Sequence, residues 1–256
     1  MDIHVPKDHP RYQSITIREQ LVDAVNRKVV APAGLIAHGR GEAFDYLCGE
    51  QTPSPSLQAI TAAAACLLRA EHPVLSVNGN FAALCAGDII RFSRAAEAPI
   101  EVNLFYRSPE REQAIEEVLR DAGAEEILGT GDSASGRVPE IGSERRRIDP
   151  KGIGRADVVF VPLEDGDRTE GLIAMGKTVI TVDLNPLSRT AQKASITIVD
   201  NITRTVPLLI EELNRLKSLD SDSLDSIVES FDNRKNLKAV LDYITRRLSQ
   251  FRFEGE

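Results

Sequence analysis

The chain has 256 residues, of which 42% are hydrophobic, and 31 lysines and arginines against 39 aspartates and glutamates give a formal net charge of -8. This length accommodates one or two domains, and we interpret the chain as one α/β domain over 1–256. The acidic balance disfavours nucleic acid and anionic membranes as partners, because their phosphates require neutralisation by basic side chains. The longest uncharged run, 51–68, contains two prolines and is too polar to span a membrane.

The cysteines and the start of the chain predict where the protein resides. Residues 1–8 lack the charged and then apolar order of a secretory signal peptide. Cys48, Cys66 and Cys85 share no CxxC spacing, which favours buried, reduced thiols. The four histidines have no zinc-like spacing. We therefore expect a soluble protein of the cytoplasm.

The first part of the chain predicts two helices and then a strand. Apolar residues at helical spacing predict a helix from about Ser14 to Val30, which Pro32 would end. A glycine-bearing stretch follows over 33–42, and a second helix is predicted over 56–70. Residues 74–77 then read as a short buried strand.

Strands and helices alternate from this point. A helix to about Ala98 precedes a strand over 100–105, and Ser108-Pro109-Glu110 has the residue types that begin a helix, which would end at Gly123. A weak strand at 126–128 leads into a Gly/Ser/Asp loop over 129–136, interpreted as either a mobile segment or a plain surface loop.

The second half predicts the remainder of a parallel sheet. Strands are expected at 157–161, 178–182 and 196–199, followed by helices over 203–216 and from Ser223 onward. Such alternation predicts a Rossmann-like parallel sheet with helices on both faces, plus N- and C-terminal helical additions. The last helix carries an apolar stripe that fits core packing, which we favour, or a dimer contact: Leu237, Val240, Leu241, Ile244 and Leu248.

Polar side chains follow five of the predicted strands, where ligands of open α/β sheets bind. They lie in the segments 78–80, 106–107, 164–170, 183–189 and 200–201. Each segment alone is also explained by the capping of turns and helices, but their convergence on one edge favours a site. The acidic run 164–167 is either a solvated turn or a group whose mutual repulsion is offset by a cation or substrate.

Motif searches narrow the chemistry of this edge. No GxGxxG follows a strand, and neither a GxxxxGK[ST] loop nor a GxSxG elbow is present in the sequence. What remains are carboxylates, amides and five arginines suited to phosphate or carboxylate groups: Arg18, Arg40, Arg107, Arg168 and Arg189. The residues indicate binding of a phosphorylated small molecule or a nucleotide, with or without Mg²⁺.

Blocks along nearly the whole chain resemble the archaeal phosphopantothenate synthetase family, also called 4-phosphopantoate–β-alanine ligase. The segments that carry the resemblance are 9–12, 33–47, 76–80, 103–107, 161–170, 183–189 and 198–202. The segment 130–147 departs most from the family pattern, so no role is transferred to it.

The resemblance implies an ATP-dependent joining of 4-phosphopantoate and β-alanine in coenzyme A biosynthesis, with release of AMP and diphosphate. It further implies an acyl-adenylate intermediate, a homodimer, and Mg²⁺ accompanying ATP. By matching position, the family's ATP contacts fall on Arg18, Arg40, Asp183, Leu184, Asn185, Arg189, Thr190, Asn201 and Ile202.

Further roles at the strand ends are our own hypotheses. We expect Arg40, Asp165 and Arg168 to be catalytic, and we expect the side chains of Asn78, Asn80 and Asp167 to bind substrate. Two alternatives use the same edge: a non-enzymatic module that senses a nucleotide or coenzyme A, and a pantoate kinase that releases ADP.

Overall fold

The computed structural model describes residues 6–9, 11–139 and 141–252. Residues 1–5 of the predicted non-signal start, and Pro10 of the first resemblance block, lie outside this part. The helices are α1 (Tyr12–Asn26), α2 (Pro32–Cys48), α3 (Ser54–Arg69), α4 (Gly79–Ala96), α5 (Pro109–Asp121), α6 (Gly166–Ala174), α7 (Arg189–Lys193), α8 (Ile202–Leu216), α9 (Ser221–Ser230) and α10 (Asn233–Ser249). The strands are β1 (Pro73–Val77), β2 (Ile100–Val102), β3 (Gly136–Arg137), β4 (Arg147–Ile148), β5 (Val158–Phe160), β6 (Thr178–Val182) and β7 (Ile196–Ile198).

Five strands form a parallel sheet in the order β2-β1-β5-β6-β7, which confirms the predicted fold class. Numbered within the sheet, this order is 2-1-3-4-5, one of the two common doubly wound arrangements. The chain leaves β1 for the β2 edge and then returns to the other side of β1 with β5. The gap between the ends of β1 and β5 is therefore the topological switch point, where such sheets bind ligands.

Alternating residues of the strands build a hydrophobic core on each face of the sheet. Leu75, Phe160 and Ile180 pack on one face with α3, α4 and α8. Val159 and Val179 pack on the other face with α6 and with apolar side chains of the segment 138–156. Both faces are thus covered, as the continuous β-branched strands predict.

The glycine-bearing stretch is a helix, and this differs from the prediction. Pro32 begins α2 instead of only ending α1, because proline is well tolerated at the first helical position, where no intrahelical N–H bond is lost. The first helix ends earlier, at Asn26, and Lys28 adopts a positive φ of 62° in the turn between the two helices.

Three smaller expectations also differ in detail. β2 ends at Val102, and the weak strand at 126–128 is reduced to a single bridge between Glu101 and Leu128. The loop after it contains a 3-10 turn, and β3 pairs with β4 in a two-stranded hairpin.

The C-terminal stripe agrees with the favoured interpretation of core packing, because Leu237, Val240 and Ile244 are buried, whereas Leu248 is exposed.

Two buried polar side chains at β2 fasten the segment that crosses the end of the sheet. The Glu101 carboxylate accepts hydrogen bonds from the backbone N–H groups of Asp149 (3.0 Å) and Ile153 (2.6 Å). Asn103 donates its side-chain amide to the carbonyls of Arg145 (3.2 Å) and Arg147 (2.8 Å). These bonds hold residues 145–153 against the sheet edge next to the switch point.

The titration of Glu101 predicts a pH-dependent stability. Burial raises the pKa of Glu101 to about 7, although its backbone donors act in the opposite direction. The Glu101 carboxyl therefore loses its proton at a lower pH in the unfolded chain than in the folded protein. As a result, the free energy of unfolding falls as pH rises from about 4.5 to about 7. Urea unfolding should show wild type losing roughly 2–3 kcal/mol relative to Glu101→Gln between pH 5 and pH 8. Parallel pH profiles for the two proteins would contradict this assignment.

Candidate functional site

A cavity of about 650 Å³ opens at the switch point. Its wall combines one face of α2 with the start of α4 and with the segments that follow β2, β5 and β6. The polar and charged side chains that line it are His38, Arg40, Asn78, Asn80, Tyr106, Arg111, Arg145, Glu164, Asp165, Asp183, Asn185, Ser188 and Thr190. The size is that of a typical small-molecule site.

The structure brings most of the predicted site residues together. Those that line the cavity are Arg40, Asn78, Asn80, Asp165, Asp183, Leu184, Asn185 and Thr190. Those outside its lining are Arg18, Asp167, Arg168, Arg189, Asn201 and Ile202. Arg107, one of the five arginines singled out, is also absent from the lining, since it is buried in an ion pair with Glu112.

The two asparagines at the start of α4 hold the cavity wall together. Asn78 caps α4 by accepting from the N–H of Phe81 (3.0 Å), and its amide donates to the Pro162 carbonyl (2.9 Å) after β5. Asn80 donates to the Gly34 carbonyl (3.0 Å) and so joins α4 to α2. The side chain of Asn78 is therefore engaged at both ends by the protein itself.

A buried cluster of arginines and carboxylates lies beneath the β5 side of the cavity. Oε2 of Glu164 accepts from both Arg145 (2.6 Å) and Arg168 (2.6 Å), and the Glu164 side chain is fully buried. Arg168 also donates to the hydroxyl of Ser76 (3.0 Å) and is itself fully buried. Asp165 caps α6 by accepting from the N–H of Arg168 (2.9 Å). Among the described residues, Arg168 thus reaches the cavity wall indirectly, through Glu164 and through its backbone bond to Asp165.

The turn after β6 is organised around one carboxylate. Asp183 accepts from the N–H of Asn185 (2.9 Å) and from the hydroxyl of Ser188, which also caps α7. Burial raises the pKa of Asp183, against the effect of these donors and of the nearby Arg40 guanidinium. Arg40 itself is exposed and, among the described residues, has no ion-pair or hydrogen-bond partner. Its charge is available to a ligand.

A second cavity of about 330 Å³ lies between α1, α2 and the start of α8. His38 lines both cavities, and burial lowers its pKa despite the neighbouring Glu42 and Asp45. Asn201 lines the second cavity, while Arg18 lies beside it, 3.9 Å from the Glu42 carboxylate. These two predicted nucleotide contacts therefore border the smaller cavity.

The other predicted residues are either on the surface or in the core. Asp167 and Arg189 pair with each other, and their side chains are 75% and 54% exposed. Ile202 is buried in the main core. The side chain of Asp167 therefore does not face the cavity.

Two arginines of the cavity were missed by the sequence analysis. Arg145 lies in the segment 130–147, which departs most from the family pattern, and its place in the basic run 145–147 assigned it no role. Arg111 stands one turn into α5 and carried no motif. Glu164 stands two residues before α6, and its four-residue spacing to Arg168 is a signal that could have paired the two side chains.

The described residues contain no group of three or more His, Cys, Asp or Glu side chains arranged to hold a metal ion. One carboxylate oxygen at the cavity wall fits a cation that arrives with a ligand: Oδ2 of Asp165 is buried, accepts no hydrogen bond from a described residue and lies 3.6 Å from Nε of Arg145 in an ion pair. The cysteines are free and buried, and burial raises the pKa of Cys48 and of Cys66 to about 11. They are poor nucleophiles at neutral pH.

Gly34→Ala tests whether the α2–α4 joint matters to the site. A Cβ at Gly34 would lie 2.4 Å from Oδ1 of Asn80 and 2.9 Å from Cγ1 of Val30, so Asn80 has to move. We expect kcat/KM to fall about ten-fold, because small displacements of positioning groups are costly. Gly39→Ala on the same helix meets nothing within 4 Å and should leave turnover unchanged. Equal activities of the two variants would remove Asn80 from the site's architecture.

Fold and site together define a doubly wound α/β protein with an arginine-lined small-molecule cavity at its switch point. The family model described as phosphopantothenate/pantothenate synthetase matches residues 55–247. The chain belongs to this family. No helix in the described part is long and apolar enough to cross a membrane.

Similar proteins cover almost the full chain. A 4-phosphopantoate–β-alanine ligase of Thermococcus kodakarensis is 51% identical over 254 residues, which are 99% of this chain and 97% of the relative. The ligase of the same name from Thermococcus onnurineus is 51% identical over 249 residues, 97% of this chain and 95% of the relative. That of Methanosarcina mazei is 46% identical over 244 residues, 95% of each chain. The family resemblance drawn from the sequence is thereby confirmed.

Proposed function

We propose that this chain joins 4-phosphopantoate and β-alanine to 4'-phosphopantothenate, a step of coenzyme A biosynthesis. The observation that carries the proposal is the match to relatives of this name over 95% or more of the chain. The switch-point cavity supports it, since its arginines and asparagines suit a substrate with two anionic groups, a phosphate and a carboxylate.

ATP as co-substrate and an acyl-adenylate intermediate are the finer part of the proposal. A carboxylate is a poor electrophile, so its oxygen would attack the α-phosphorus of ATP and displace diphosphate. The β-alanine amine would then attack the acyl carbon and expel AMP. This chemistry requires placement and charge stabilisation more than a protein nucleophile, in keeping with the inert cysteines.

Roles for individual residues follow from the geometry. Arg40 would neutralise phosphate charge, because its guanidinium stands at the cavity wall without an ion-pair partner in the described part of the chain. Asp183, Leu184 and Asn185 would hold the nucleoside at the turn after β6, and Thr190 lines the same side. His38 joins this side to the smaller cavity near Arg18 and Asn201. Seven of the nine predicted nucleotide contacts, including Arg18 beside the smaller lining, would thus span the two cavities, whereas Arg189 and Ile202 lie outside both linings.

Mg²⁺ would be held by the phosphates of ATP together with Oδ2 of Asp165, which it would share with Nε of Arg145 at 3.6 Å, consistent with the preference of this ion for phosphates and one or two carboxylates. When bound it would withdraw charge from the phosphates. Arg168 would position Glu164 rather than contact substrate, because its side chain is fully buried.

The proposal includes one domain, a cytoplasmic location and a homodimer. The homodimer is supported by α2, where Ile36 and Leu47 are exposed. These two residues are eleven positions, or about three turns, apart and so share one face of the helix. Light scattering of the purified protein should give twice the chain mass. A monomer at micromolar concentration would contradict the dimer and leave the ligase proposal intact.

A mass-resolved turnover assay tests the function. The protein is incubated with ATP, Mg²⁺, 4-phosphopantoate and β-alanine, with unphosphorylated pantoate as control. Stoichiometric AMP and phosphopantothenate are expected. Release of ADP would favour the kinase alternative, and saturable ATP binding without any turnover would favour the sensor.

A further inference from the structure

Arg111 brings an unneutralised charge to the β2 side of the switch-point cavity. Its guanidinium donates to the main-chain carbonyls of Lys28 (3.3 Å), Val29 (2.9 Å) and Tyr106. It pairs with no carboxylate among the described residues. Three of its five N–H groups are used by these carbonyls, and two remain for a ligand.

Arg145 reaches the same side of the cavity from the segment fastened to β2. Its Nη1 donates to Glu164 (2.6 Å) and to the Asn103 carbonyl (3.3 Å), whereas its buried Nε makes no hydrogen bond to a described residue and lies 3.6 Å from Oδ2 of Asp165 in an ion pair. The residue is 8% exposed. Three of its five N–H groups therefore donate to no described residue.

The charges around this point do not cancel. Arg111, Arg145 and Arg168 bring three guanidinium groups, and Glu164 and Asp165 bring two carboxylates. Burial lowers the pKa of Arg111, and the proximity of Arg145 lowers it further. An anion between Arg111 and Arg145 would relieve their repulsion.

The N-terminus of α4 adds donors at the same place. Gly79 and Asn80 line the cavity as the first two residues of an 18-residue helix, and the Asn78 cap is bonded to the N–H of Phe81. The N–H groups of Gly79 and Asn80 therefore have no intrahelical acceptor and carry the positive end of the helix dipole. Such ends bind phosphate readily.

We propose that Arg111, Arg145 and the first turn of α4 form the subsite for the phosphate of 4-phosphopantoate. This inference rests on the proposed function and deepens it. Arg145 is held at the end of β2 and Arg111 follows that strand, whereas Asp183 follows β6, three strand spacings or about 14 Å away across the sheet. The subsite thus lies apart from the groups assigned to the nucleoside.

The position of the subsite orients the substrate. 4-Phosphopantoate carries its phosphate and its carboxylate at opposite ends. With the phosphate bound at Arg111 and Arg145, the carboxylate points along the cavity toward Arg40 and the turn after β6. That is the end that reacts with the α-phosphorus of ATP.

Arg145→Gln in the full chain tests the subsite. We expect kcat/KM for 4-phosphopantoate to fall about 100-fold, as for loss of a buried charge-assisted contact, while KM for ATP changes less than two-fold. Arg145→Lys should recover part of the loss, because it restores the charge without the fork. Arg146→Gln removes the same charge one residue away, where the side chain pairs with Glu144 outside the cavity lining, and should behave as wild type.

Inorganic phosphate separates this proposal from the ligase proposal. Inorganic phosphate should inhibit wild type competitively with 4-phosphopantoate. Calorimetry should show that phosphate binds to wild type and to Arg146→Gln, and that it binds at least ten-fold more weakly to Arg145→Gln. Equal phosphate affinity in all three proteins, or a loss expressed in KM for ATP, would overturn the subsite. A wild type that binds phosphate through Arg145 without turnover would overturn the ligase function and leave the anion subsite standing.

Discussion

Arg40→Ala should lower the rate of AMP formation by two to three orders of magnitude while the protein stays folded. The side chain is exposed at the cavity wall and has no partner in the described part of the chain, so its removal leaves no buried group unpaired. In the proposed reaction its charge faces the phosphates as they gain negative charge during adenylation. Loss of one such preorganised donor typically costs roughly 10²–10³ in rate.

The control for Arg40 is another arginine of similar exposure away from the cavity. Arg91 on α4 is 62% exposed and, among the residues that the structure describes, pairs only with Asp88. Arg91→Ala should keep the wild-type rate, and urea unfolding should give similar stabilities for both variants. Wild-type AMP formation by Arg40→Ala would place the phosphates elsewhere in the cavity.

Arg168→Met should destabilise the protein by about 3–5 kcal/mol, the usual cost of removing one partner from a buried ion pair. The Arg168 side chain is fully buried, and its loss leaves Glu164 with Arg145 as its remaining basic partner. The Ser76 hydroxyl loses its contact as well. Urea unfolding monitored by circular dichroism measures the change.

A double-mutant cycle distinguishes this structural role from direct catalysis. Adding Glu164→Gln to Arg168→Met removes the buried charge that the single variant leaves behind, so part of the stability should return. Exposed Arg215→Met serves as the control for loss of an arginine on the surface. Unchanged unfolding with a loss confined to kcat would mean that Arg168 acts on the substrate after all.

Local sequence patterns were sufficient for the sheet and for most of the cavity. The β-branched runs specify buried parallel strands, and polar residues directly after them must meet at one edge because parallel strands end on the same side. This brings Asn78, Asp165 and Asp183 together without any long-range information. The same reasoning cannot tell which of these side chains remain available to a ligand. The side chain of Asn78, for example, is already hydrogen-bonded to the segment after β5 and to α4.

What the sequence could not predict depends on contacts between distant segments. A proline such as Pro32 is compatible both with the end of one helix and with the first turn of the next. The packing of α2 against α10 and α1 selects the second of these. Arg145 reaches the cavity only because Glu101 and Asn103 bind the segment behind it. No periodicity within that segment encodes these bonds.

Oxygen-isotope transfer tests the central claim most directly. 4-Phosphopantoate labelled with ¹⁸O in its carboxylate is incubated with the protein, ATP, Mg²⁺ and β-alanine, and the products are resolved by mass. An acyl-adenylate predicts phosphopantothenate together with AMP that has gained one ¹⁸O atom, because the carboxylate oxygen stays on the α-phosphorus when the amine expels AMP. Label in inorganic phosphate alongside ADP, or AMP without label, would contradict the adenylate route.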